Sequence, residues 1–188
     1  EMIKIGRRGS LTGKLIIFGQ QGHVAYPQRA NNPSTIIVKI LKELKDIKFD
    51  RGSKNFQPTN FEVTKININN SADNVIPAMA EATFNIRFNN KHSSKSLKLK
   101  INKFLMKTNK KNKSKFKIDY RVSGEAFLTK PNETTHMIQK IIKKVTKIKP
   151  KLSTTGGTSD LRFIRKISPG LEFGLVGKTM HKVDEAVS

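Results

Sequence analysis

The sequence predicts an α/β protein: a ferredoxin-like βαββαβ domain of α+β composition, followed by part of a further α/β region. Between residues 10 and 123, strand-like and helix-like segments follow in the order strand, helix, strand, strand, helix, strand. That order is the split βαβ arrangement, which forms a four-stranded antiparallel sheet with two helices on one face. A length of 188 residues suffices for such a domain and part of another.

The first strand and the first helix lie in the segment that ends near Leu44. β-Branched and aromatic residues crowd the stretch from Leu11 to Phe18, which favours a short strand. A helix is predicted to begin at Asn32-Pro33-Ser34, a typical helix start. Its apolar residues recur at helical spacing: Ile36, Ile37, Ile40, Leu41 and Leu44.

Two further strands are predicted in the middle of the domain. Phe61 to Ile68 alternates imperfectly between apolar and polar residues, and the turn-rich stretch from Asn69 to Asp73 follows it. Ala80 to Phe88 alternates more regularly. The apolar face of this third strand consists of Phe84, Ile86 and Phe88.

The second helix is predicted to begin at Ser93 or Ser94, since either hydroxyl can cap it. Its apolar stripe consists of Leu97, Ile101, Phe104 and Leu105. A lysine-rich turn from Lys107 to Lys115 is expected next, then a fourth strand from Phe116 to Val122 with clean alternation. Such a sheet keeps an edge strand and an open face, the usual ingredients of a homodimer made by sheet extension.

A second region begins near Gly124. An amphipathic helix is predicted from Pro131 to Ile148, and the glycine turn from Thr155 to Asp160 allows close approach of the backbone to a ligand. A helical turn at residues 161–164 and a strand from Leu171 to Val176 complete the pattern. This alternation is typical of part of a larger α/β domain.

The charge balance is strongly basic, with 37 Lys and Arg against 14 Asp and Glu, a formal net charge of +23 and a pI near 10.4. Taken alone, this charge favours a polyanionic partner. However, the lysines are scattered, Trp is absent and there are only two Tyr, so the basic stretches lack the interleaved aromatic residues that stack on bases. The composition therefore argues against nucleic acid as a partner.

Other features of the composition limit the cellular setting and the metal chemistry. No long apolar block is present, so no membrane partner is expected. The chain has no Cys, which leaves His, Asp and Glu as metal ligands and fits a reducing cytoplasm. Glu1 is not a start residue, which suggests that the sequence begins within a longer protein.

His23 is the first candidate for chemistry. It stands in the stretch Gly22-His23-Val24-Ala25-Tyr26-Pro27, on a connection rather than inside an apolar run. Loops on a rigid scaffold often carry functional side chains, although a surface histidine at a strand end is the alternative.

Five ordered motifs resemble the dinuclear zinc aminoacylase and carboxypeptidase family of M20-type hydrolases. They are Arg7-Arg8-Gly9-Ser10, Gly22-His23-Val24-Ala25-Tyr26-Pro27, Asn74-Val75-Ile76-Pro77, Gly156-Gly157-Thr158-Ser159-Asp160 and His181-Lys182-Val183-Asp184-Glu185. The first two motifs are most similar to the members that hydrolyse N-succinyl-LL-2,6-diaminopimelate to succinate and LL-2,6-diaminopimelate in lysine biosynthesis. Members that deacetylate ornithine, or other acylated amino acids, are the near alternative.

The resemblance implies a domain organisation and a cofactor. Residues 1–9 would end the first segment of a zinc-binding catalytic domain, residues 10–123 would be an inserted lid through which the protein forms a homodimer, and residues 124–188 would begin the second segment. His181 matches the C-terminal zinc ligand of the family. The whole enzyme would hold two zinc ions, with cobalt as an alternative, whereas these 188 residues alone would be inactive because most ligands lie elsewhere.

The resemblance also assigns roles to further residues. His23 matches the lid histidine that stabilises the oxyanion in the partner subunit's active site. Residues that match substrate-binding positions are Arg7, Tyr26, Asn74, Arg87, Gly157 and Thr158. A guanidinium suits a carboxylate because it can donate two parallel hydrogen bonds. For Arg87 a solvent-facing strand residue is the alternative, and for Tyr26 packing is the alternative.

Two departures from the family pattern leave the acyl amino acid open: Gly177 replaces an amide side chain, and Asp73 stands where Asn or Thr is usual. Three classes of function remain in competition: a metal-dependent amide hydrolase, which the motifs favour, a basic nucleic-acid-binding module, and a dimerisation module without activity.

Overall fold

The structure is a computed structural model that describes residues 2–157, 159–174, 177 and 179–186. Its strands are β1 (Met2–Lys4), β2 (Gly6–Arg7), β3 (Gly9–Phe18), β4 (Gly22–His23), β5 (Asn60–Asn67), β6 (Val75–Ile76), β7 (Met79–Phe88), β8 (Lys115–Gly124), β9 (Phe127–Leu128) and β10 (Lys151–Ser153). Its α-helices are α1 (Pro33–Lys45), α2 (Ser94–Asn112), α3 (Glu133–Thr146) and α4 (Leu161–Ile164), and a 3₁₀ turn covers Pro27–Arg29. None of the helices within these ranges is long and apolar enough to cross a membrane.

The chain divides into two compact units. The larger unit is Gly9–Glu125, and the smaller unit combines Glu1–Arg8 with Ala126–Ser188. In the larger unit four antiparallel strands pair in the order β5-β7-β3-β8. This order, with α1 and α2 in the two crossovers, confirms the ferredoxin-like arrangement.

The core of the larger unit lies between one face of this sheet and the two helices. Phe84 and Phe88 of β7 are fully buried, and each ring fills the space above a glycine of the neighbouring strand. A Cβ atom at Gly13 would collide with the ring of Phe84, and one at Gly9 with that of Phe88. The other fully buried large side chains of this core are Leu11, Leu15, Ile17, Ile37, Leu44, Ile86, Leu97, Ile101 and Leu105.

Each helix of the larger unit starts at the predicted cap. The Asn32 side chain accepts from the Ser34 N–H at 3.0 Å, and Ser93 forms a capping box with Ser96. α2 continues beyond the predicted turn at Lys107 and ends only before Lys113, whose φ is 47°. Lysine is a good helix former, and Thr108 extends the buried stripe, so the lysine-rich composition does not stop the helix.

The buried carboxylate of Asp50 ties the connection between α1 and β5 to the end of β7. It accepts hydrogen bonds from the N–H groups of Gly52 at 2.5 Å and Thr59 at 3.2 Å and from Asn89 Nδ2 at 2.6 Å. His92 Nε2 lies 3.2 Å away, within ion-pair distance. Burial opposes ionisation, but the hydrogen bonds from Thr59, Gly52 and Asn89 hold the pKa of Asp50 below its ordinary value.

The smaller unit contains two short strand pairs. β1 pairs with β10 in parallel, and β2 pairs with β9 in an antiparallel manner through Arg7 and Phe127. α3 confirms the predicted helix, but much of its apolar stripe is exposed, at Met137, Ile141 and Val145. The predicted strand from Leu171 to Val176 is reduced to one bridge between Glu172 and Lys4, and Leu175 and Val176 lie outside the described residues.

Replacing Asp50 by Asn should lower the free energy of unfolding by about 2 kcal/mol at neutral pH, because an amide leaves buried N–H groups without an acceptor. The lowered pKa means that the carboxylate stabilises the fold above its ordinary pKa, and this stabilisation is lost as the pH falls through the lowered value. Urea unfolding from neutral pH to about pH 2.5 should therefore show the two proteins converging at the acidic end.

The matched control is Asp46→Asn, because Asp46 is an exposed carboxylate that pairs only with Lys42 among the described residues. Its effect should stay within about 0.5 kcal/mol. Equal losses for Asp46→Asn and Asp50→Asn, or a loss for Asp50→Asn that does not change with pH, would contradict this account.

Candidate functional site

The residues singled out in the sequence fall into two groups, one in each unit. His23, Tyr26, Asn74 and Arg87 belong to the larger unit, and Arg7, Gly157 and His181 belong to the smaller unit. Thr158 lies outside the described residues.

His23 and Asn74 come together through a small two-stranded ribbon. β4 pairs with β6 so that His23 lies opposite Val75, and the Val24 N–H donates to the Asn74 carbonyl at 3.0 Å. The Tyr26 N–H donates to the His23 carbonyl at 2.9 Å, and the two rings lie 6.0 Å apart between centroids. Local backbone pairing thus gathers three of the predicted residues.

The imidazole of His23 is exposed and oriented by its own backbone. The Ala25 N–H donates to His23 Nδ1 at 3.1 Å, so Nδ1 carries a lone pair and the neutral ring carries its proton on Nε2. An outward N–H of this kind can donate a hydrogen bond to an oxygen atom that gains negative charge.

Tyr26 is half exposed beside Arg29, whose guanidinium carbon lies 5.3 Å from the centre of the tyrosine ring. This cation–π contact favours packing as one role of the ring, and it leaves the ring at the surface next to His23.

Arg87 does not join this group within the unit. It lies near the C-terminal end of β7, opposite Ser10 of β3 and Asn60 of β5. The ribbon that carries His23 follows the other end of β3, where Phe18 pairs with Met79. Arg87 lies eight residue steps along β7 from Met79, which corresponds to about 26 Å.

In the smaller unit, Arg7 is surrounded by polar groups. Its Nε donates to Glu172 Oε2 at 2.9 Å, its Nη2 pairs with the same oxygen, and its Nη1 donates to the Thr155 carbonyl at 2.7 Å. The arginine side chain is only 14% exposed. Next to Thr155, Gly156 has a φ of 105°, and a Cβ atom there would collide with Arg7 Nη1.

Gly157 extends this turn into open space, because no heavy atom lies within 4 Å of where its Cβ would be. The contacts of Arg7 with Glu172 and Thr155 were not predicted from the sequence. The only signal was an acidic residue in the apolar stretch from Leu171 to Val176, which is weak evidence for a partner 165 positions away.

His181 is exposed, with a φ of 60°, and its backbone N–H donates to Glu185 Oε2 at 3.2 Å. Among the described residues, no group of three or more His, Asp or Glu side chains could hold a metal ion. The described part of the chain therefore does not form the implied dinuclear centre, and His181 could contribute a single imidazole to one completed by other residues.

Comparison with curated proteins gives relatives that share one name. The chain is 76% identical over all 188 residues to a succinyl-diaminopimelate desuccinylase of Pelagibacter ubique, covering 49% of that protein. It is 48% identical to one of Phenylobacterium zucineum and 45% identical to one of Rickettsia bellii, with 98% of the chain and 49% and 47% of those proteins covered. The chain thus spans about half the length of the curated relatives that it matches.

Solved structures support the fold. A tripeptidase from Staphylococcus aureus matches with a TM-score of 0.77 at 17% identity, over 98% of this chain and 48% of that one. An aminopeptidase from Bacillus cereus matches with a TM-score of 0.74 at 15% identity, over 96% and 47%.

A family model described as the peptidase dimerisation domain of the M20 group matches residues 5–113. The match covers more than half of the chain and contains the first three of the five ordered motifs. The chain therefore belongs to the M20 peptidase dimerisation domain family.

Proposed function

We propose that the full-length protein is a metal-dependent amide hydrolase that cleaves N-succinyl-LL-2,6-diaminopimelate to succinate and LL-2,6-diaminopimelate. The observation that carries this proposal is the 76% identity, along the whole chain, to a protein named succinyl-diaminopimelate desuccinylase. Because the chain spans half of such proteins, the activity is proposed for the whole protein. The reaction would serve diaminopimelate and lysine biosynthesis in the cytoplasm.

In this hydrolysis water adds across the amide: the acyl carbon gains oxygen, the C–N bond breaks, and the nitrogen leaves as an amine with an added proton. The carbonyl oxygen becomes negative as water attacks. The outward Nε2–H of His23 is suited to donate to that oxygen, a contribution worth about 3 kcal/mol in comparable sites. Tyr26 and Asn74, beside His23, are proposed to contact the substrate.

Zinc, or cobalt in its place, would activate water and polarise the carbonyl in such an enzyme. The described residues supply only one candidate ligand, His181, so the metal centre is proposed for the whole protein and not for these 188 residues. Arg7, Arg87 and the turn at Gly157 and Thr158 are proposed to bind substrate carboxylates.

We further propose that the larger unit, as a lid domain over residues 10–123, forms a homodimer through its α1/β5 side. The opposite side, α2 with β8, carries ten lysines from Lys95 to Lys117 against one acidic residue, Asp119 of β8. A two-fold interface places the same surface of both copies in contact, so this lysine-rich side would repel itself.

The α1/β5 side is better suited to a second copy. Two of its lysines pair with acidic side chains, Lys42 with Asp46 at 2.8 Å and Lys45 with Glu62 at 2.6 Å. Its surface exposes Val38 and Ile66, each more than half accessible. A dimer formed there would provide a partner subunit toward which His23 could act.

The substrate proposal is tested by assaying the full-length gene product against N-succinyl-LL-2,6-diaminopimelate and acetylornithine, the substrate of the near alternative within the family. Turnover should favour the succinylated substrate, disappear on treatment with a chelator and return with zinc or cobalt. The 188-residue chain serves as the control and should show neither activity nor stoichiometric zinc. Preference for acetylornithine, or activity that resists chelation, would overturn the assignment.

His23→Ala should lower kcat of the full-length enzyme by about 10²-fold while metal content stays unchanged, because an oxyanion donor is lost. Co-expression of this variant with His181→Ala distinguishes the subunits. If His23 acts in trans, mixed dimers hold one complete site and the mixture should recover about a quarter of wild-type activity. No recovery would place the histidine in its own subunit's site.

Val38→Asp should weaken the dimer of the full-length protein, because it places two carboxylates at a two-fold interface. The matched control is Leu99→Asp on α2, at a residue of similar exposure on the lysine-rich side. Sedimentation velocity should show monomer for the first variant and dimer for the control. The reverse result would assign the interface to α2 and β8.

A further inference from the structure

The strongest unassigned feature is the arrangement around Arg7. A guanidinium has five N–H donors. Within the described residues Glu172 takes two of them and the Thr155 carbonyl takes one. One N–H remains on each terminal nitrogen, and two such donors form the fork that accepts a carboxylate.

The glycine turn allows a ligand to reach this fork. Gly156 has no Cβ atom that would displace Arg7 Nη1, and Gly157 opens toward solvent. A carboxylate beside these two glycines would therefore approach the guanidinium edge. The guanidinium itself is held on two sides, which limits its rotation.

The charge of the cluster also favours an anion. The Arg7–Glu172 pair is neutral overall and would attract a carboxylate only weakly. Lys4 Nζ donates to Thr155 Oγ1 at 2.7 Å, which adds one positive charge beside the turn. The three side chains together carry a net charge of +1.

We infer that Glu172 is a positioning residue: together with the Thr155 carbonyl it fixes the Arg7 guanidinium so that its remaining donors bind a carboxylate of the substrate. This inference rests on the proposed function and extends that function by giving Glu172 a role in carboxylate recognition. It differs from a purely electrostatic role, in which Glu172 would only reduce the positive charge of the site.

The test uses the full-length enzyme and Glu172→Gln, which keeps the shape and one acceptor oxygen but removes the charge, so both hydrogen bonds from Arg7 lose their charge assistance. Positioning predicts that KM for the succinylated substrate and the Kd for succinate each rise about tenfold, with kcat changed by less than about twofold. Tighter succinate binding would mean that Glu172 only neutralises Arg7, and unchanged values would mean that the pair is merely structural; either result overturns the inference. Glu133→Gln, an exposed acid at the start of α3, is the control and should match the wild type.

Arg7→Lys and the double variant make the test specific. Lysine keeps the charge but lacks the two parallel donors, so the KM of Arg7→Lys should also rise about tenfold. The variant that combines Arg7→Lys with Glu172→Gln should have a KM little higher than that of either single variant. Additive effects would contradict a shared role. If Glu172→Gln does not fold, Glu172→Asp keeps the charge at a shorter reach and should raise KM by a smaller factor; an unchanged KM would overturn the inference.

Succinate binding, measured by calorimetry, separates this inference from the proposed function. Suppose that the wild-type enzyme binds succinate, that Glu172→Gln binds it about tenfold more weakly, and that the wild-type enzyme still fails to hydrolyse the succinylated substrate. This result would refute the function and leave the positioning role intact. A wild-type enzyme that hydrolyses the substrate while Glu172→Gln keeps wild-type KM and Kd would refute only the positioning role.

Discussion

The close packing of β7 against β3 is the constraint on which the larger unit depends. The rings of Phe84 and Phe88 occupy space that only glycine leaves open, at Gly13 and Gly9. This contact holds the two long central strands in one register over ten residue pairs, and α1 and α2 cover the same face. The fixed register in turn determines where the strands end, and the ribbon that carries His23 follows one of those ends. The ribbon that orients the His23 imidazole is therefore attached to a rigid sheet.

Much of the larger unit could be predicted from the sequence because its elements are long and periodic. Phe84, Ile86 and Phe88 mark one face of a strand, and Asn32-Pro33 marks a helix start, through local rules that need no tertiary information. The end of α2 could not be found in this way, since lysine signals a solvated surface without signalling a turn. The two- and three-residue strands were missed because such short segments have no measurable period and exist only through their partners.

The candidate site was predictable only in part, and for a related reason. His23 and its neighbours come from adjacent positions in the sequence or from one short ribbon, so the motif itself indicates that they lie close together. The polar contacts around Arg7 join residues near both ends of the chain, and no local sequence pattern predicts the contact with Glu172. The metal centre differs, because the described residues bring no three His, Asp or Glu side chains together where they could hold a metal ion.

The chain enters and leaves the larger unit at neighbouring points. Ser10 pairs with Gly124 inside that unit, and Arg7 pairs with Phe127 inside the smaller unit. The larger unit, more than a hundred residues long, is thus inserted between β2 and β9, two strands that pair with each other in the smaller unit. Removing it would leave ends that a tight turn could join into a hairpin, so the architecture is modular: the insert could be gained, lost or exchanged without breaking the strand pair that receives it.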